Sequence, residues 1–444
     1  MNLKTKLFLL KYQLAKNGAI SQFDEALKIE TLSEKELKDI SFKKFKTIFD
    51  YAYTHIPYYT KKYKAAGIQP NDILTEKDIQ KIPILTRKDL VDHYNEFYST
   101  EIDKEKLRIS TTGGSTGTPV KVGFTKNLIR EIPKWRILNW WGLSPNVNMA
   151  TFYRNIHASR LQMMALNFIY YPQRVIRFDA TQINEKRILD FINKFNRIKP
   201  DLIHGYVGAL DTVANYLLEH NIHLEHQPKV IWLTAAPITK GVEAKIAKAF
   251  QAPVCDQYGC SEMYFIAAEC PQKEGLHIFA DSVYVEILGE DNKPLPTGEY
   301  GKVTFTNLNE FYFPLIRYQN GDESRMLTHK CSCGMNLPLM DKVKGRISEK
   351  LIMPDGTILS GEYLTCLFDN HTDEVKQFQI IQRKDSSIDI NILFFDHCMN
   401  KKEVIDDTFN KLKERIHNDK LLRINEVTSI ENKRGKLKFI ISER

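Results

Sequence analysis

The stretch STTGGSTGTPVKV, residues 110 to 122, combines hydroxyl side chains and glycines in a way that suits the binding of an anion. Its glycines can expose consecutive backbone N–H groups, and its hydroxyls add further donors. The residues concerned are Gly113, Gly114, Ser115, Thr116 and Gly117. The loop lacks the Gly-Lys-Ser/Thr ending of a P-loop, which leaves Lys121 as a nearby cation. The pattern predicts a phosphate-binding loop of another kind.

Two further segments carry groups that suit a nucleotide. In DQYGCSEM, the aromatic ring of Tyr258 can stack on a base, and the carboxylate of Glu262 can hold Mg²⁺ against phosphates. Gly259 and Ser261 stand between them. In PLIRYQNGDESRM, Asp322 follows a predicted Gly turn and can accept hydrogen bonds from ribose hydroxyls. Together with the loop, these residues predict a site for a nucleoside phosphate.

A second kind of site is predicted from cysteine spacing. Cys331 and Cys333 form a CxC pair followed by Gly, and Cys270 and His277 bracket a short upstream loop. Three thiolates and one imidazole suit a closed, tetrahedral structural Zn²⁺ site. The alternative is a set of scattered buried cysteines with a surface histidine. A zinc hydrolase is not expected, because such a ligand set leaves no position for a reacting water.

The composition describes a globular chain of 444 residues with 43% hydrophobic and 11% aromatic residues. The net charge of +8 is spread thinly, with no long basic block, so nucleic acid is not an expected partner. The N-terminal apolar run LFLL is cut by Lys11, too early for a secretory signal or a membrane span. Seven unevenly spaced cysteines do not suggest a disulfide framework. We expect a cytoplasmic protein without an integral membrane segment, and leave peripheral membrane contact open.

The pattern of elements predicts an α/β fold. Residues 1 to about 105 have helical periodicity, and strands alternate with helices from 106 to 260, which predicts parallel sheets flanked by helices. A β-rich subdomain follows from 275 to 330, and an α+β segment ends the chain. We therefore expect a large N-terminal domain over residues 1–345 and a small, mobile C-terminal cap over residues 346–444.

Five segments in this order resemble the adenylate-forming superfamily of acyl-CoA synthetases, nonribosomal adenylation domains and luciferases. YAYTHIPYYTKKYKAAGI, STTGGSTGTP, DQYGCSE, RYQNGDES and GRISEKL cover most of the chain and are similar to the phenylacetate–coenzyme A ligase and CapK-like branch. The resemblance implies ATP and Mg²⁺ as cofactors. It also implies that Ala235, Ala236 and Pro237 line the adenine pocket, that Arg346 contacts ribose or phosphate, and that Lys436 bridges the substrate carboxylate and the α-phosphate.

The chemistry implied is an AMP-forming ligation in two steps. A carboxylic acid attacks the α-phosphate, with Lys436, Glu262-bound Mg²⁺ and Thr116 offsetting the repulsion between the two anions. The acyl group then passes to coenzyme A or to another thiol or amine acceptor. Two alternatives remain open: a CapK-like amide or acyl ligase of surface-polysaccharide biosynthesis, and an inactive nucleotide-binding homologue.

Overall fold

The structure, a computed structural model, describes the chain except for the following residues: 1–2, 16–17, 112–119, 127–130, 154–159, 181–182, 237, 345–350, 356–357, 360–363, 365–366, 369, 372–373, 417–420, 431–438 and 444. Several predicted site residues lie outside the described residues. They are Gly113, Gly114, Ser115, Thr116, Gly117, Pro237, Arg346 and Lys436.

The described residues form α-helices and strands in mixed order along the chain. The α-helices are α1 (Leu3–Ala15), α2 (Ala19–Ile29), α3 (Glu34–His55), α4 (Pro57–Ala65), α5 (Arg87–Asp92), α6 (Glu131–Trp140), α7 (Arg160–Tyr170), α8 (Glu185–Ile198), α9 (Val207–Glu219), α10 (Lys240–Phe250) and α11 (Lys401–Lys413). The strands are β1 (Leu107–Thr111), β2 (Lys121–Thr125), β3 (Met149–Tyr153), β4 (Val175–Asp179), β5 (Leu202–Tyr206), β6 (Val230–Thr234), β7 (Val254–Cys260), β8 (Met263–Glu269), β9 (Leu276–Ile278), β10 (Val283–Leu288), β11 (Gly301–Asn307), β12 (Tyr318–Ser324), β13 (Leu339–Met340), β14 (Leu351–Ile352), β15 (Ile358–Leu359), β16 (Val375–Gln382), β17 (Ile388–Phe394), β18 (Leu422–Glu426) and β19 (Ile440–Ser442).

The chain separates into two compact units. Unit 1 comprises Met1–Pro145 and Gln257–Val343, and unit 2 comprises Asn146–Asp256 and Lys344–Arg444. Strand β7 contributes its first three residues to unit 2 and its last four to unit 1. The predicted division into residues 1–345 and 346–444 stays a prediction.

Unit 1 contains the N-terminal helices and three antiparallel sets of strands. β1 and β2 pair as a hairpin around the predicted phosphate loop. The last part of β7 pairs with β8, β8 pairs with β9, and β9 pairs with β13. Strands β10, β11 and β12 form a separate three-stranded sheet. Helix α3 begins at a capping box, in which Ser33 and Glu36 satisfy each other's backbone N–H groups. It ends before Pro57, which opens α4 at a position where no backbone N–H is required.

Unit 2 is built on a parallel sheet in the order β4, β3, β5, β6 and the start of β7. Its amphipathic helices cover a core that includes Phe152, Phe178 and Phe191. Helix α8 begins at the Asn184 cap and ends at Lys199, whose φ of 53° turns the chain before a proline. The alternation of strands and helices predicted from the sequence is therefore present.

The C-terminal part of unit 2 is a four-stranded sheet with α11. β16 and β17 pair antiparallel, and β19 and β18 add in parallel at the two edges. The backbone carbonyl of Lys376 in β16 accepts hydrogen bonds from the Lys245 ammonium at 3.2 Å and the Asn215 amide at 3.1 Å. Part of the helix expected before β16 lies outside the described residues. Among the helices that the structure does describe, none has both the length and the apolar character that crossing a bilayer requires.

Candidate functional site

The hairpin of β7 and β8 positions four of the predicted nucleotide-site residues. Tyr258 and Gly259 lie in β7, and Ser261 and Glu262 form the turn that leads into β8. A side chain at Gly259 would bring its Cβ to 2.1 Å from the carbonyl oxygen of Tyr264, so only glycine allows the two strands to approach this closely. Gly259 thus has a packing reason for its place in the motif.

Strand β12 supplies the facing residues. Tyr318, Asn320 and Asp322 alternate with less buried neighbours and therefore share one face of the strand. The Gly turn that the sequence predicts here is instead part of this strand, with Gly321 at a φ of +89°. The glycine keeps the chain in the strand where an L side chain would be strained.

Tyr258 and Asp322 meet directly. The Tyr258 hydroxyl donates to Asp322 Oδ2 at 2.8 Å, and Asn320 donates from Nδ2 to the Tyr258 hydroxyl oxygen at 3.1 Å. The Asn320 amide also bonds the same carboxylate, and its Oδ1 accepts from the Asp322 backbone N–H at 3.1 Å. These contacts fix the carboxylate of Asp322. Burial, together with the charge of Asp322, raises the pKa of Tyr258 well above its ordinary value, so the hydroxyl stays a donor.

Glu262 is buried with an incomplete set of partners. Its side chain is 1% exposed, and its Oε1 accepts from the Tyr318 hydroxyl at 3.3 Å and lies 3.9 Å from Arg87 Nη1. Its Oε2 has no hydrogen-bond partner among the described residues. Buried carboxylate oxygens are normally satisfied, so this oxygen points to a ligand that the described part of the chain does not supply. A divalent cation is such a ligand.

Cys260 stands between these carboxylates but is not arranged as a nucleophile. Burial and the nearby charges of Glu262 and Asp322 raise the pKa of its thiol well above the ordinary value. The thiolate required for attack is therefore disfavoured.

Sequence reasoning missed three members of this cluster. Asn320 and Tyr318 could have been found from their period-two spacing to Asp322, which predicts a shared strand face. Arg87 opens helix α5 far from the hairpin in sequence, and nothing in its local pattern indicates the contact with Glu262.

The predicted adenine-pocket residues Ala235 and Ala236 follow β6 in unit 2. Ala235 adopts a φ of 72°.

The predicted metal ligands come together in unit 1. Cys270 follows β8, His277 lies in β9, and Cys331 and Cys333 lie in the loop between β12 and β13. Their ligand atoms all lie within 4.8 Å of one another. Glu274 ties the two loops together by accepting bonds from the Ser332 backbone N–H at 2.7 Å and its hydroxyl at 2.8 Å.

The distances in this cluster fit a shared ion better than a covalent bond. The Sγ atoms of Cys270 and Cys331 are 3.5 Å apart, and Cys333 Sγ lies 3.4 Å from His277 Nε2. A disulfide would require ~2.05 Å, whereas ligands of a tetrahedral zinc are separated by roughly 3.5–3.8 Å. Burial lowers the pKa of His277 to about 4, which keeps the imidazole neutral, as a metal ligand must be. Scattered cysteines would not converge in this way.

Comparison with known proteins identifies the family. Phenylacetate–coenzyme A ligase of Escherichia coli (strain K12) is 30% identical over 348 residues, which cover 73% of this chain and 74% of that protein. The chain belongs to the phenylacetate–coenzyme A ligase family. The predicted resemblance and the predicted class of enzyme, an adenylate-forming ligase that uses ATP, are thereby confirmed.

A domain profile, a second curated relative and a solved structure give further matches to this chain. The profile of the CapK C-terminal domain matches residues 351–443. The protein CapK of Staphylococcus aureus is 24% identical over 294 residues, covering 65% of this chain and 62% of that protein. A crystal structure of 2-hydroxyisobutyryl-CoA ligase in complex with 2-HIB-AMP superposes with a TM-score of 0.79 at 17% identity, covering 94% of this chain and 91% of that one. The predicted fold class is confirmed by this match.

Proposed function

We propose that the protein activates a carboxylic acid with ATP, releases pyrophosphate and transfers the acyl group from the acyl-adenylate to coenzyme A. The observation that carries the proposal is the alignment over three quarters of a phenylacetate–coenzyme A ligase. The cluster of Tyr258, Asp322 and Glu262 supports it, because it combines a fixed carboxylate with a buried carboxylate, one oxygen of which has no hydrogen-bond partner among the described residues.

Within this proposal, each described residue has a defined task. Asp322, held by Tyr258 and Asn320, accepts hydrogen bonds from the ribose hydroxyls of ATP. Glu262 would hold Mg²⁺, and the ion would supply positive charge that offsets the charge of the phosphates. By resemblance, Tyr258, Gly259 and Ser261 are assigned to the binding of the nucleotide, and Ala235 and Ala236 are assigned to the adenine pocket.

The remaining tasks are assigned to residues outside the described part of the chain, by resemblance alone. Gly113, Gly114, Ser115, Thr116 and Gly117 hold the β- and γ-phosphates, and Pro237 adjoins the adenine. Arg346 contacts ribose or phosphate, and Lys436 bridges the attacking carboxylate and the α-phosphate. The segment 346–444 acts as the cap that carries Lys436.

The test is carboxylate-dependent exchange of pyrophosphate into ATP over a panel of aromatic and aliphatic acids, with the native chain and Lys436→Ala. We expect exchange with a narrow group of acids and its loss in the variant, while Lys438→Ala, two residues away, retains it. Exchange with none of the acids, in a protein that binds ATP, would favour the inactive nucleotide-binding homologue.

The acceptor is tested separately. The match of residues 351–443 to the CapK C-terminal domain is the observation that favours the second candidate, an amide or acyl ligase that serves surface-polysaccharide assembly. Once an acid is known, the products formed with coenzyme A and with a set of amines distinguish the two. Release of AMP that depends on coenzyme A, with a thioester as product, supports the first proposal.

We further propose that Cys270, His277, Cys331 and Cys333 hold a structural Zn²⁺. The ion would hold the loop after β8 to the loop before β13. Metal analysis of the purified protein should give about one zinc per chain. Cys333→Ser should lose the ion, whereas Cys398→Ser, a change to a buried cysteine outside the cluster, should keep it.

A cytoplasmic location is proposed because reduced thiols are the form that binds zinc.

A further inference from the structure

Helix α1 has two apolar faces, and one of them is exposed. Thr5, Phe8, Leu9 and Tyr12 are buried, and the rings of Phe8 and Tyr12 pack against Trp135 of α6 at 6.2 and 5.0 Å between centroids. The exposed face is a row of four leucines. They are Leu3, Leu7, Leu10 and Leu14, with exposed fractions of 82, 45, 57 and 89%.

The two faces point in opposite directions. At 100° per residue, the mean directions of the buried set and of the leucine row differ by about 180°. Packing against α6 therefore explains one side of the helix and leaves the leucine row without a role in the fold of unit 1. Four leucines on one stripe expose an apolar area on the order of the few hundred Å² that marks an interaction site.

The charges of α1 indicate what the leucine row faces. The helix carries Lys4, Lys6 and Lys11 and no acidic residue. On the helical wheel Lys4 and Lys11 border one edge of the leucine row and Lys6 borders the other. Lys4 and Lys6 are exposed. An apolar stripe between basic edges is the pattern of a helix that lies in the interface of an anionic membrane.

A second copy of the chain fits this surface poorly. The spacing of 4, 3 and 4 places the leucines at the a and d positions of a heptad, so that the flanking e and g positions are Lys4, Lys6, Lys11 and Gln13. In either orientation of two such helices, lysines would face lysines across the seam. Like charges at these positions oppose pairing, whereas phosphate headgroups match them.

From these observations we infer that α1 docks the protein on anionic lipid surfaces, with the leucine row inserted among the acyl chains and the lysines on the headgroups. The helix of 13 residues is about 20 Å long and lies in the plane of the interface rather than across it. The inference rests on α1 alone and does not depend on the proposed ligase reaction.

The test is flotation of the full chain with vesicles of phosphatidylcholine alone and with about one third phosphatidylglycerol. We expect binding to the anionic vesicles, little binding to the neutral ones, and release as salt is raised. The double variant Leu10→Gln/Leu14→Gln should bind about tenfold or more weakly, because it removes two inserted side chains. Leu74→Gln, a matched change at a leucine that is 70% exposed in unit 1 outside α1, should bind like the native protein.

A second pair of variants tests the charges. Lys4→Gln/Lys6→Gln should weaken binding by about tenfold or more at low salt, and Lys35→Gln/Lys77→Gln, at exposed lysines outside α1, should not. Thermal unfolding of all variants should match the native protein, since each change is at the surface.

Three results would overturn the inference. The first is failure of the native protein to float with anionic vesicles. The second is equal binding by the leucine variant and Leu74→Gln. The third is a concentration-dependent dimer, without vesicles, that Leu10→Gln/Leu14→Gln abolishes, because the leucine row would then bind a second copy.

Discussion

Unit 1 contains two buried clusters of charge that differ in how closely their opposite charges are paired. In the first, Arg136 is fully buried and reaches two carboxylates, with Nε 2.6 Å from Glu30 Oε1 and Nη1 2.6 Å from Asp281 Oδ1. In the second, Glu262 Oε1 accepts a hydrogen bond from the Tyr318 hydroxyl and lies 3.9 Å from Arg87 Nη1. Its Oε2 has no hydrogen-bond partner among the described residues.

The difference separates a structural cluster from a functional one. The Arg136 cluster joins α2, α6 and the segment before β10 through bonds within the protein. In the Glu262 cluster, the carboxylate lies 3.9 Å from Arg87, and its Oε2 has no hydrogen-bond partner among the described residues, which suits the binding of a cation. Close ion pairing within the protein thus predicts a loss of stability on mutation, and the looser pairing of Glu262 predicts a loss of activity.

The largest effect is expected from breaking the structural cluster. Arg136→Met leaves Glu30 and Asp281 buried without their cation, and should lower the free energy of unfolding by about 3–5 kcal/mol. Denaturant unfolding measures this change. The matched control is Arg325→Met, because Arg325 pairs with Asp341 at 2.9 Å on a partly exposed surface, and its loss should cost less than about 1 kcal/mol. Equal losses of stability for the two variants would mean that the buried ion pairs of Arg136 contribute no more than the exposed pair of Arg325.

The opposite outcome is expected for Glu262→Gln. The amide keeps the shape of the side chain but cannot bind Mg²⁺ as a carboxylate does, so pyrophosphate exchange should fall about 100-fold. Stability should change little or rise, because a buried charge is removed. Glu269→Gln is the control, since Glu269 is a buried carboxylate of the same hairpin that pairs with Lys342 at 3.2 Å. A Glu262 variant that is less stable than the native protein but exchanges pyrophosphate normally would show that this cluster is structural as well.

A smaller effect is expected at Asp322. Asp322→Asn removes a charged acceptor for the ribose, and should raise KM for ATP about tenfold with a lesser change in kcat. Initial rates over a range of ATP concentrations separate the two constants. Asp341→Asn, at a partly buried aspartate that accepts from Tyr300 and Arg325, serves as the comparison. An unchanged KM in the Asp322 variant would assign the ribose contact elsewhere.

The smallest effect concerns pH. Burial alone would raise the pKa of Asp281, but the Arg136 guanidinium outweighs burial and holds it below the ordinary value. The stability from Asp281 is therefore present above its unfolded pKa and is lost only as pH falls through the lower folded value. At Glu30 burial prevails over Arg136 and raises the pKa.

Without Arg136 both carboxyls should have raised pKa values and become neutral in the fold as pH falls. The stability gap between the native protein and Arg136→Met should thus shrink by about 1 kcal/mol between pH 7 and pH 5. Unfolding curves at the two values measure it. A gap that widens toward pH 5 would mean that the carboxyls do not depend on the arginine.

Much of the fold was predictable because its signals are local. The strand and helix of β5 and α9 follow from hydrophobic runs, and the limits of α3 follow from a capping box and Pro57. The convergence of Cys270, His277, Cys331 and Cys333 was predictable because cysteine and histidine have few other reasons to come together. The turn predicted at Gly321 was wrong, because the left-handed glycine lies within β12 at an irregularity where the register against β11 shifts between Gln319 and Glu323.

By itself, the sequence determined the family, the order of the elements and the chemical types available to the site, since these depend on residue identity and local periodicity. Only the tertiary structure decided which buried charges have a close partner of opposite charge. Arg136 and Asp281 are separated by 145 residues, and Arg87 lies still further along the chain from Glu262, yet each pair is set by packing. Burial and distance, which turn a carboxylate into a structural ion pair or a ligand for a cation, exist only after the chain has folded.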